Sequence, residues 1–300
     1  MKTEFKEQIL VRIQNLLSKK GESQNKLADK LGISSANLSN IVSPKRKWDK
    51  ISDDFWRKLA SHNLIRVDYS ESEWQVFETR GLKTIHDICE DAQENHRFLA
   101  GYGKTGAGKT EALRIYASEG DNVGYVLCDV LMTQKGFLNS TLESFGIGLN
   151  GTKEDKVNRI ADNLRKLEKP LWILDDLGKV RNDIYPIIQL VFDRVPNLGI
   201  GVFGVEKMKE HLDKMKSRDK MAFPELHRRI EYWQNIPNLD WEEIKFVCEQ
   251  YGIADKQELH FVKSNVTCFG TLKNLIINAL RVAKGEKITL EVLQSLNLSN

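Results

Sequence analysis

The stretch GKTGAGKT at residues 103–110 constrains the fold of this 300-residue chain more than any other feature. Its spacing, G-x-x-x-x-G-K-[ST], is typical of a loop whose backbone N–H groups surround nucleotide phosphates. Such a loop needs a buried strand before it and a helix after it. Residues 97–102 supply a short apolar run, and residues 111–118 have apolar positions at helical spacing. The sequence therefore predicts a nucleotide site here, rather than a glycine-rich turn with an incidental lysine.

The loop residues have predicted roles that follow from their chemistry. The Lys109 ammonium would reach the β- and γ-phosphates, and the Thr110 hydroxyl would hold Mg²⁺. The residues predicted to contact the nucleotide are Gly103, Lys104, Thr105, Gly106, Ala107, Gly108, Lys109, Thr110 and Glu111.

After the loop, segments typical of strands and helices alternate along the chain. The strand-like runs are residues 122–130, 170–176 and 198–205. The helix-like runs are residues 134–146, 153–169 and 184–195. This alternation predicts an α/β fold in which a parallel sheet is flanked by helices, with the ligand at the carboxyl ends of the strands.

A pair of acidic residues ends the run PLWILDD, residues 170–176. A carboxylate at the end of a buried strand would lie beside the Mg²⁺ end of the phosphate site, which assigns Asp175 to the metal. Asp176 would orient the water that attacks the γ-phosphate. The alternative for Asp176 is an ordinary helix N-cap for the following segment.

The N-terminal region differs in charge and in pattern. Residues 1–65 contain 13 Lys and Arg against 7 Asp and Glu, a net charge of +6, so the remaining residues carry −3 of the total +3. Residues 3–18 have the apolar stripe of an amphipathic helix. Gln24, Ala28, Gly32, Leu38 and Ile41 follow with the spacing of a helix-turn-helix, in which the glycine permits the turn.

The second helix of this motif would be a recognition helix capped by Ser34. Its outward residues would meet base edges or phosphates, and the basic segment after it would contact the DNA backbone. The predicted DNA-contacting residues are Ser35, Asn37, Asn40, Lys45, Arg46 and Lys47. Ser and Asn are weak base readers, so a helical bundle used for protein contacts stays an open alternative.

Composition bounds the remaining possibilities. Four widely spaced cysteines without a C-x-x-C pair favour a reducing cytoplasm over a zinc site or a disulfide framework. No apolar run approaches the roughly 18 residues that span a bilayer, so we expect no membrane insertion. The predicted domains are a helix-turn-helix domain at 1–65, a linker at 66–80, an α/β core at 81–239 and a helical lid at 240–300.

The order of these motifs resembles the AAA+ ATPases of the phage Mu B type, which are related to transposon helper ATPases. The helix-turn-helix, the phosphate loop, WILDD, GVFGVEKM and FPELHRRIEYW occur here in that order. The resemblance implies ATP and Mg²⁺ as cofactors, and ATP-dependent, largely sequence-independent assembly on double-stranded DNA. It also implies a ring or helical filament of identical subunits, and delivery of the bound target DNA to a transposase.

The same resemblance implies roles for individual residues. Arg229 falls where AAA+ proteins place the arginine finger, with Arg228 as the adjacent candidate, and Lys273 falls at the second-sensor position. Lys135 falls where related ATPases face DNA. Asp176 stands where the family usually has the longer Glu, and the position near Val205 lacks the usual sensor Asn. Slow, DNA-stimulated ATP hydrolysis is the expected consequence.

Two other functions fit the same motifs. The first is a transcriptional regulator that reads an operator through its helix-turn-helix and senses ATP with little turnover. The second is an ATPase similar to helicase loaders. An operator reader would protect one DNA sequence, whereas a Mu B-type protein would cover arbitrary duplex in an ATP-dependent way.

Overall fold

The computed structural model describes residues 3–20, 23–31, 33–43, 45, 48, 51–52, 55–56, 59, 74–220, 223–283 and 286–296. The chain divides into two compact units, Met1–Gln75 and Val76–Asn300. We call them the helical unit and the core unit. The predicted division into four domains stays a prediction, and most of its linker, at residues 66–73, lies outside the described residues.

The helical unit has the predicted succession of helices: α1 (Thr3–Lys20), α2 (Gln24–Leu31) and α3 (Ser35–Val42). Ser34 caps α3, because its side chain accepts a hydrogen bond of 3.2 Å from the Asn37 N–H. Gly32, predicted to permit the turn, lies outside the described residues. The core of the unit is built from Ile9, Ile13, Leu27, Ala28, Leu31, Leu38, Ile41, Trp48, Ile51, Trp56 and Leu59.

The core unit alternates helices and strands as the sequence predicted. Its elements begin with α4 (Arg80–Asn95), β1 (Phe98–Tyr102), α5 (Lys109–Glu119), β2 (Val123–Leu127), α6 (Gln134–Ser144), α7 (Lys153–Leu164) and β3 (Leu171–Asp175). They continue with α8 (Tyr185–Arg194), β4 (Gly199–Gly204), α9 (Glu206–Ser217), α10 (Phe223–Arg229) and β5 (Tyr232–Asn235). Among the described helices, none is long and apolar enough to cross a bilayer.

The five strands of the described residues form one parallel sheet in the order β2-β3-β4-β1-β5. The chain therefore leaves β1 for the far edge, returns strand by strand to β4, and then crosses β1 to form β5. The carboxyl ends of all the strands lie at one edge, where open α/β sheets bind ligands. The fold class predicted from the sequence is confirmed, with a parallel sheet between helices and helical regions at both ends.

The sheet is covered on both faces, and this explains its apolar strands. Every residue of β3, including Asp175, is buried. Helix α4 packs directly on the backbone of β4, since a Cβ at Gly199 would lie 2.1 Å from the Ala92 carbonyl oxygen. This close approach fixes the C-terminal part of α4 against the start of β4.

The described residues of the predicted helical lid form α11 (Trp241–Gln250), α12 (Lys256–Asn265), α13 (Phe269–Ala283) and α14 (Leu290–Ser295). Helices α4 and α10 and strand β5 were not predicted. Helix α4 occupies residues at and beyond the end of the expected linker, and β5 is a strand of only four residues with two exposed ones. Such a short edge strand has no clear apolar alternation to reveal it.

Candidate nucleotide-binding site

The phosphate loop connects the end of β1 at Tyr102 to the start of α5 at Lys109. Gly106 and Gly108 have φ of 80° and 82°, in the left-handed region that glycine adopts without strain. Gly103 is held for a different reason, because a Cβ there would lie 2.8 Å from the Ile236 carbonyl oxygen. The glycines of the motif therefore set both the curvature of the loop and its contact with the segment after β5.

Lys109 lies inside this loop. Its Nζ donates hydrogen bonds to the carbonyl oxygens of Gly103 (3.0 Å) and Lys104 (2.9 Å). The side chain is buried, and burial lowers the pKa of Lys109 below its usual range, although Asp176 and Asp175 nearby raise it. The structure thus places a buried cation within electrostatic reach of two carboxylates at the carboxyl edge of the sheet.

Asp175 is the last residue of β3 and is fully buried. The Tyr125 hydroxyl donates a hydrogen bond of 2.9 Å to its Oδ2. Burial raises the pKa of Asp175 above its usual range, while hydrogen bonding from Thr110 and Tyr125 lowers it. The other oxygen, Oδ1, is buried and accepts no hydrogen bond of ordinary geometry.

This arrangement fits Mg²⁺. The cation prefers hard oxygen ligands and usually takes only one or two from the protein, with the rest from water and substrate phosphates. The buried Asp175 carboxylate and the neighbouring Thr110 hydroxyl are a suitable pair of oxygen ligands, and Asp175 Oδ1 has no hydrogen-bond donor of ordinary geometry. No group of three or more His, Cys, Asp or Glu within the described ranges could hold a metal alone, which agrees with a site completed by a nucleotide.

Asp176 is arranged differently from Asp175. Its backbone has φ of 56°, and its side chain is 22% exposed and pairs with Lys179, the Nζ–Oδ2 distance being 2.6 Å. Asp176 precedes a short 3₁₀ helix, Leu177–Lys179, but its side chain makes no capping hydrogen bond. Asp176 therefore stands at the N-cap position of this short helix, but its carboxylate does not cap the helix.

The start of α13 lies against the phosphate loop. The Gly270 N–H donates a hydrogen bond of 3.0 Å to the Gly106 carbonyl oxygen, and a Cβ at Gly106 would lie 2.3 Å from Cys268 Sγ. Further along α13, Lys273 Nζ lies 4.0 Å from Glu111 Oε2 on α5. The structure brings Lys273 to the beginning of the helix that follows the phosphate loop.

Arg229, the predicted arginine finger, is the last residue of α10. Its Nε and one terminal nitrogen donate to the two oxygens of Asp193 on α8, at 2.6 and 2.8 Å. The other terminal nitrogen donates to the Glu225 carbonyl oxygen at 3.2 Å. Arg228, the adjacent candidate, is exposed. The structure holds Arg229 by contacts outside the phosphate loop.

The predicted DNA-contacting residues lie in both units of the chain. In the helical unit Ser35 and Lys45 are exposed, and Asn37 and Asn40 are half-buried, while Arg46 and Lys47 lie outside the described residues. In the core unit Lys135 is exposed at the start of α6. Their role in DNA binding stays a prediction.

Sequence reasoning missed Tyr125 and Arg114. Tyr125 contacts Asp175 directly, and burial together with Asp175 raises the pKa of the Tyr125 phenol, although the neighbouring Arg114 guanidinium lowers it. The one available signal was the spacing of Thr110 and Arg114, four residues apart on α5 and therefore on one helix face. No motif marks Tyr125.

The comparisons with known proteins agree with this geometry. Residues 92–210 match the sequence profile of the AAA domain. The core unit contains an AAA P-loop domain. The matched range includes the phosphate loop, Asp175 and Asp176, whereas the helical unit, Arg229 and Lys273 lie outside it. No curated protein sequence matches the chain significantly.

Solved structures resemble the chain at low identity. A Walker-type ATPase of Pyrococcus abyssi is 16% identical with a TM-score of 0.50, covering 71% of this chain and 71% of that one. RuvB of Thermotoga maritima, solved as a single-substitution variant, is 16% identical with a TM-score of 0.46, covering 73% and 68%. NtrX of Brucella abortus, in complex with ATP, is 15% identical with a TM-score of 0.47, covering 87% and 63%. The likeness to the first is one of fold alone.

Proposed function

We propose that the protein is an ATPase that binds double-stranded DNA in an ATP-dependent, largely sequence-independent way. It assembles on the DNA as a homo-oligomer, in a ring or a helical filament, and delivers that DNA to a transposase. The observation that carries the proposal is the place of Arg229. It is held by Asp193 on a partly exposed surface, with no described contact to the phosphate loop of its own chain.

Within one subunit, the residues around the loop divide the work of ATP hydrolysis. Lys109 binds the β- and γ-phosphates as a desolvated charge. Asp176 orients the attacking water through the oxygen that Lys179 does not occupy. Mg²⁺, held by the Thr110 hydroxyl and Asp175 Oδ1, would neutralise charge on the phosphates when bound. The single carboxylate of Asp176 acts from a short side chain, so turnover is slow.

Arg229 supplies positive charge to ATP bound by the neighbouring subunit. A guanidinium has five N–H groups, and three are used by Asp193 and the Glu225 carbonyl. The remaining two, one on each terminal nitrogen, form a fork that matches two phosphate oxygens. Hydrolysis therefore requires assembly, and ATP in turn stabilises the interface between subunits.

DNA binding by such an assembly depends on repetition. Each subunit contributes a modest number of basic contacts to phosphates, and many linked subunits give high affinity without sequence reading. The helical unit adds to this affinity. The step of delivery to a transposase rests on the resemblance in motif order, and its test is ATP-dependent co-purification of the cognate transposase on DNA coated by this protein.

The test of assembly is electron microscopy of the protein with ATP and Mg²⁺ on duplex DNA of random sequence. We expect rings or filaments that cover the DNA and that are lost without ATP. Protection of one defined sequence with no assembly on random duplex would contradict the proposal and favour the operator-reading regulator. Loading of a separate helicase ring, with no coating of duplex, would favour the helicase-loader alternative.

A further inference from the structure

The strand register brings one aromatic residue of β2 to the buried carboxylate of β3. In the parallel pairing of β2 with β3, Leu127 lies opposite Asp175, and Tyr125 lies opposite Ile173. Residues two apart on a strand share a face, so Tyr125 lies on the face of Asp175, one step behind it. A tyrosine is long enough to cover that step, and its hydroxyl reaches Asp175 Oδ2 at 2.9 Å.

Helix α5 covers the same face with two residues spaced four apart. Thr110 lies beside Asp175, and Arg114, one turn later, lies beside Tyr125. The four side chains therefore form two neighbouring pairs that link α5, β2 and β3. Arg114 itself is half-buried, and its buried Nε makes no hydrogen bond of ordinary geometry.

The direction of the hydrogen bond matters for Asp175. A phenol has one proton, and Tyr125 donates it to Oδ2. The guanidinium beside the phenol can only donate, so it favours a hydroxyl that turns its proton away from Arg114 and toward the carboxylate. Oδ2 is thereby anchored, whereas Oδ1 has no hydrogen-bond donor of ordinary geometry.

We propose that Tyr125 is a positioning residue for Asp175: it holds Oδ2 so that Oδ1 and the Thr110 hydroxyl form the protein's pair of Mg²⁺ ligands, with Arg114 fixing the hydroxyl of Tyr125. This inference rests on the nucleotide site of the proposed function and names a residue outside its sequence motifs. Partners that orient a metal ligand typically change metal affinity by about 10–100-fold when they are removed.

The test replaces the hydroxyl and keeps the ring. Tyr125→Phe preserves the packing of the ring against the α4–α5 face of the sheet, and leaves Oδ2 without its donor. We expect the Mg²⁺ concentration for half-maximal binding of a fluorescent ATP analogue to rise about 10-fold or more. Affinity for the same analogue in EDTA should stay within twofold of the unsubstituted protein, since Lys109 and the loop are unchanged.

Tyr116→Phe is the matched control. Tyr116 is also partly buried against this apolar cluster, and its hydroxyl donates to Gln93 Oε1 at 3.0 Å, away from Asp175. Tyr116→Phe should leave the Mg²⁺ dependence of analogue binding unchanged. Arg114→Met should raise the Mg²⁺ requirement in the same direction as Tyr125→Phe but less, because the hydroxyl keeps its acceptor. Thermal unfolding of each variant separates a change in Mg²⁺ binding from a loss of folded protein.

The outcomes distinguish this inference from the proposed function. If the unsubstituted protein binds the analogue with Mg²⁺ and Tyr125→Phe has the same Mg²⁺ dependence, the positioning role is wrong and the ATP site stands. An equal rise for Tyr125→Phe and Tyr116→Phe would also overturn it, since the effect would then be structural. If the unsubstituted protein binds no analogue with or without Mg²⁺, the proposed function fails and the inference fails with it.

Discussion

The two units of the chain place their polar side chains differently. In the core unit, Lys109 and Asp175 are among the buried residues, together with Thr141, Lys156, Gln189 and Glu258. In the helical unit, every buried side chain of the described residues is apolar. Buried charges are expensive unless they are paired, and here two of them lie at the predicted phosphate site. The ATP site that we propose thus includes buried charges, whereas the DNA contacts that we propose for the helical unit would come from exposed and half-buried side chains.

This difference has a consequence for mutations. A buried, hydrogen-bonded charge has few substitutes, so single changes at the core site should remove function outright. Exposed polar residues act together, and each contributes little on its own. The predictions below test this contrast, beginning with the largest effect.

Lys109→Ala should lower ATP affinity at least 100-fold, because it removes the desolvated charge that binds the β- and γ-phosphates. Isothermal titration with ATP and Mg²⁺ measures the change. Lys104→Ala is the control: its side chain is exposed in the same loop and its carbonyl is kept, so affinity should stay within a few-fold. Equal losses of affinity in both variants would mean that ATP binding depends on the net charge of the loop and not on the position of Lys109.

Arg229→Ala should abolish cooperative, ATP-dependent binding to random duplex and lower hydrolysis by about 10³-fold, as removal of an arginine finger does. Asp193→Ala should produce a smaller loss in the same direction, since it frees a guanidinium now held by two hydrogen bonds. Arg228→Ala, which changes the exposed neighbour, should leave both properties near normal. Fluorescence anisotropy measures DNA binding, and phosphate release measures hydrolysis. A larger loss for Arg228→Ala than for Arg229→Ala would assign the arginine finger to Arg228.

Asp176→Asn should leave ATP binding within a few-fold of normal and slow hydrolysis by about 10²-fold, because an amide is a poor acceptor for the proton of the attacking water. The DNA-bound assembly should then persist for longer after free ATP is removed. Single-turnover hydrolysis is the measurement. A normal rate would assign water activation to another group.

Removal of residues 1–75 should weaken binding to random duplex by about 10-fold without erasing it, since most of the affinity comes from repeated contacts of the assembled core units. ATP affinity should not change, because the phosphate site lies wholly in the core unit. Asn40→Ala alone should change the affinity for random duplex by less than about threefold. The proposed assembly on DNA would be contradicted if the truncated protein lost all DNA binding while Arg229→Ala bound DNA as the unsubstituted protein does.

The sequence predicted the parts of the site that depend on local chain geometry. The loop glycines, Lys109 and Thr110 are fixed by spacing within one short stretch, and Asp175 by its place at the end of a buried strand. It could not predict Tyr125, because that contact depends on the register of β2 against β3, and no local signal encodes it. The same holds for Asp193, which meets Arg229 from 36 residues away.

Local sequence patterns likewise predicted some elements of the fold and not others. Long periodic segments such as α7 and α13 were predicted, whereas α4 and β5 were not. Helix α4 has buried residues Ile85, Ile88, Cys89 and Ala92 at helical spacing, but its exposed face is as polar as the preceding segment. Strand β5 is defined by pairing with β1, which is a property of the whole sheet.

The backbone at Asp176 explains why a short acid stands there. A φ of 56° is a conformation that Asp and Asn adopt several-fold more readily than most side chains, and the left-handed helical region otherwise raises the energy by roughly 1–2 kcal/mol. Glu, which the resemblance to AAA+ proteins leads one to expect, would gain reach toward the γ-phosphate but would bear that strain. The slow turnover that we propose would thus accompany an unstrained backbone at Asp176. A lineage that moved toward faster hydrolysis would have to change the turn before it lengthened the acid.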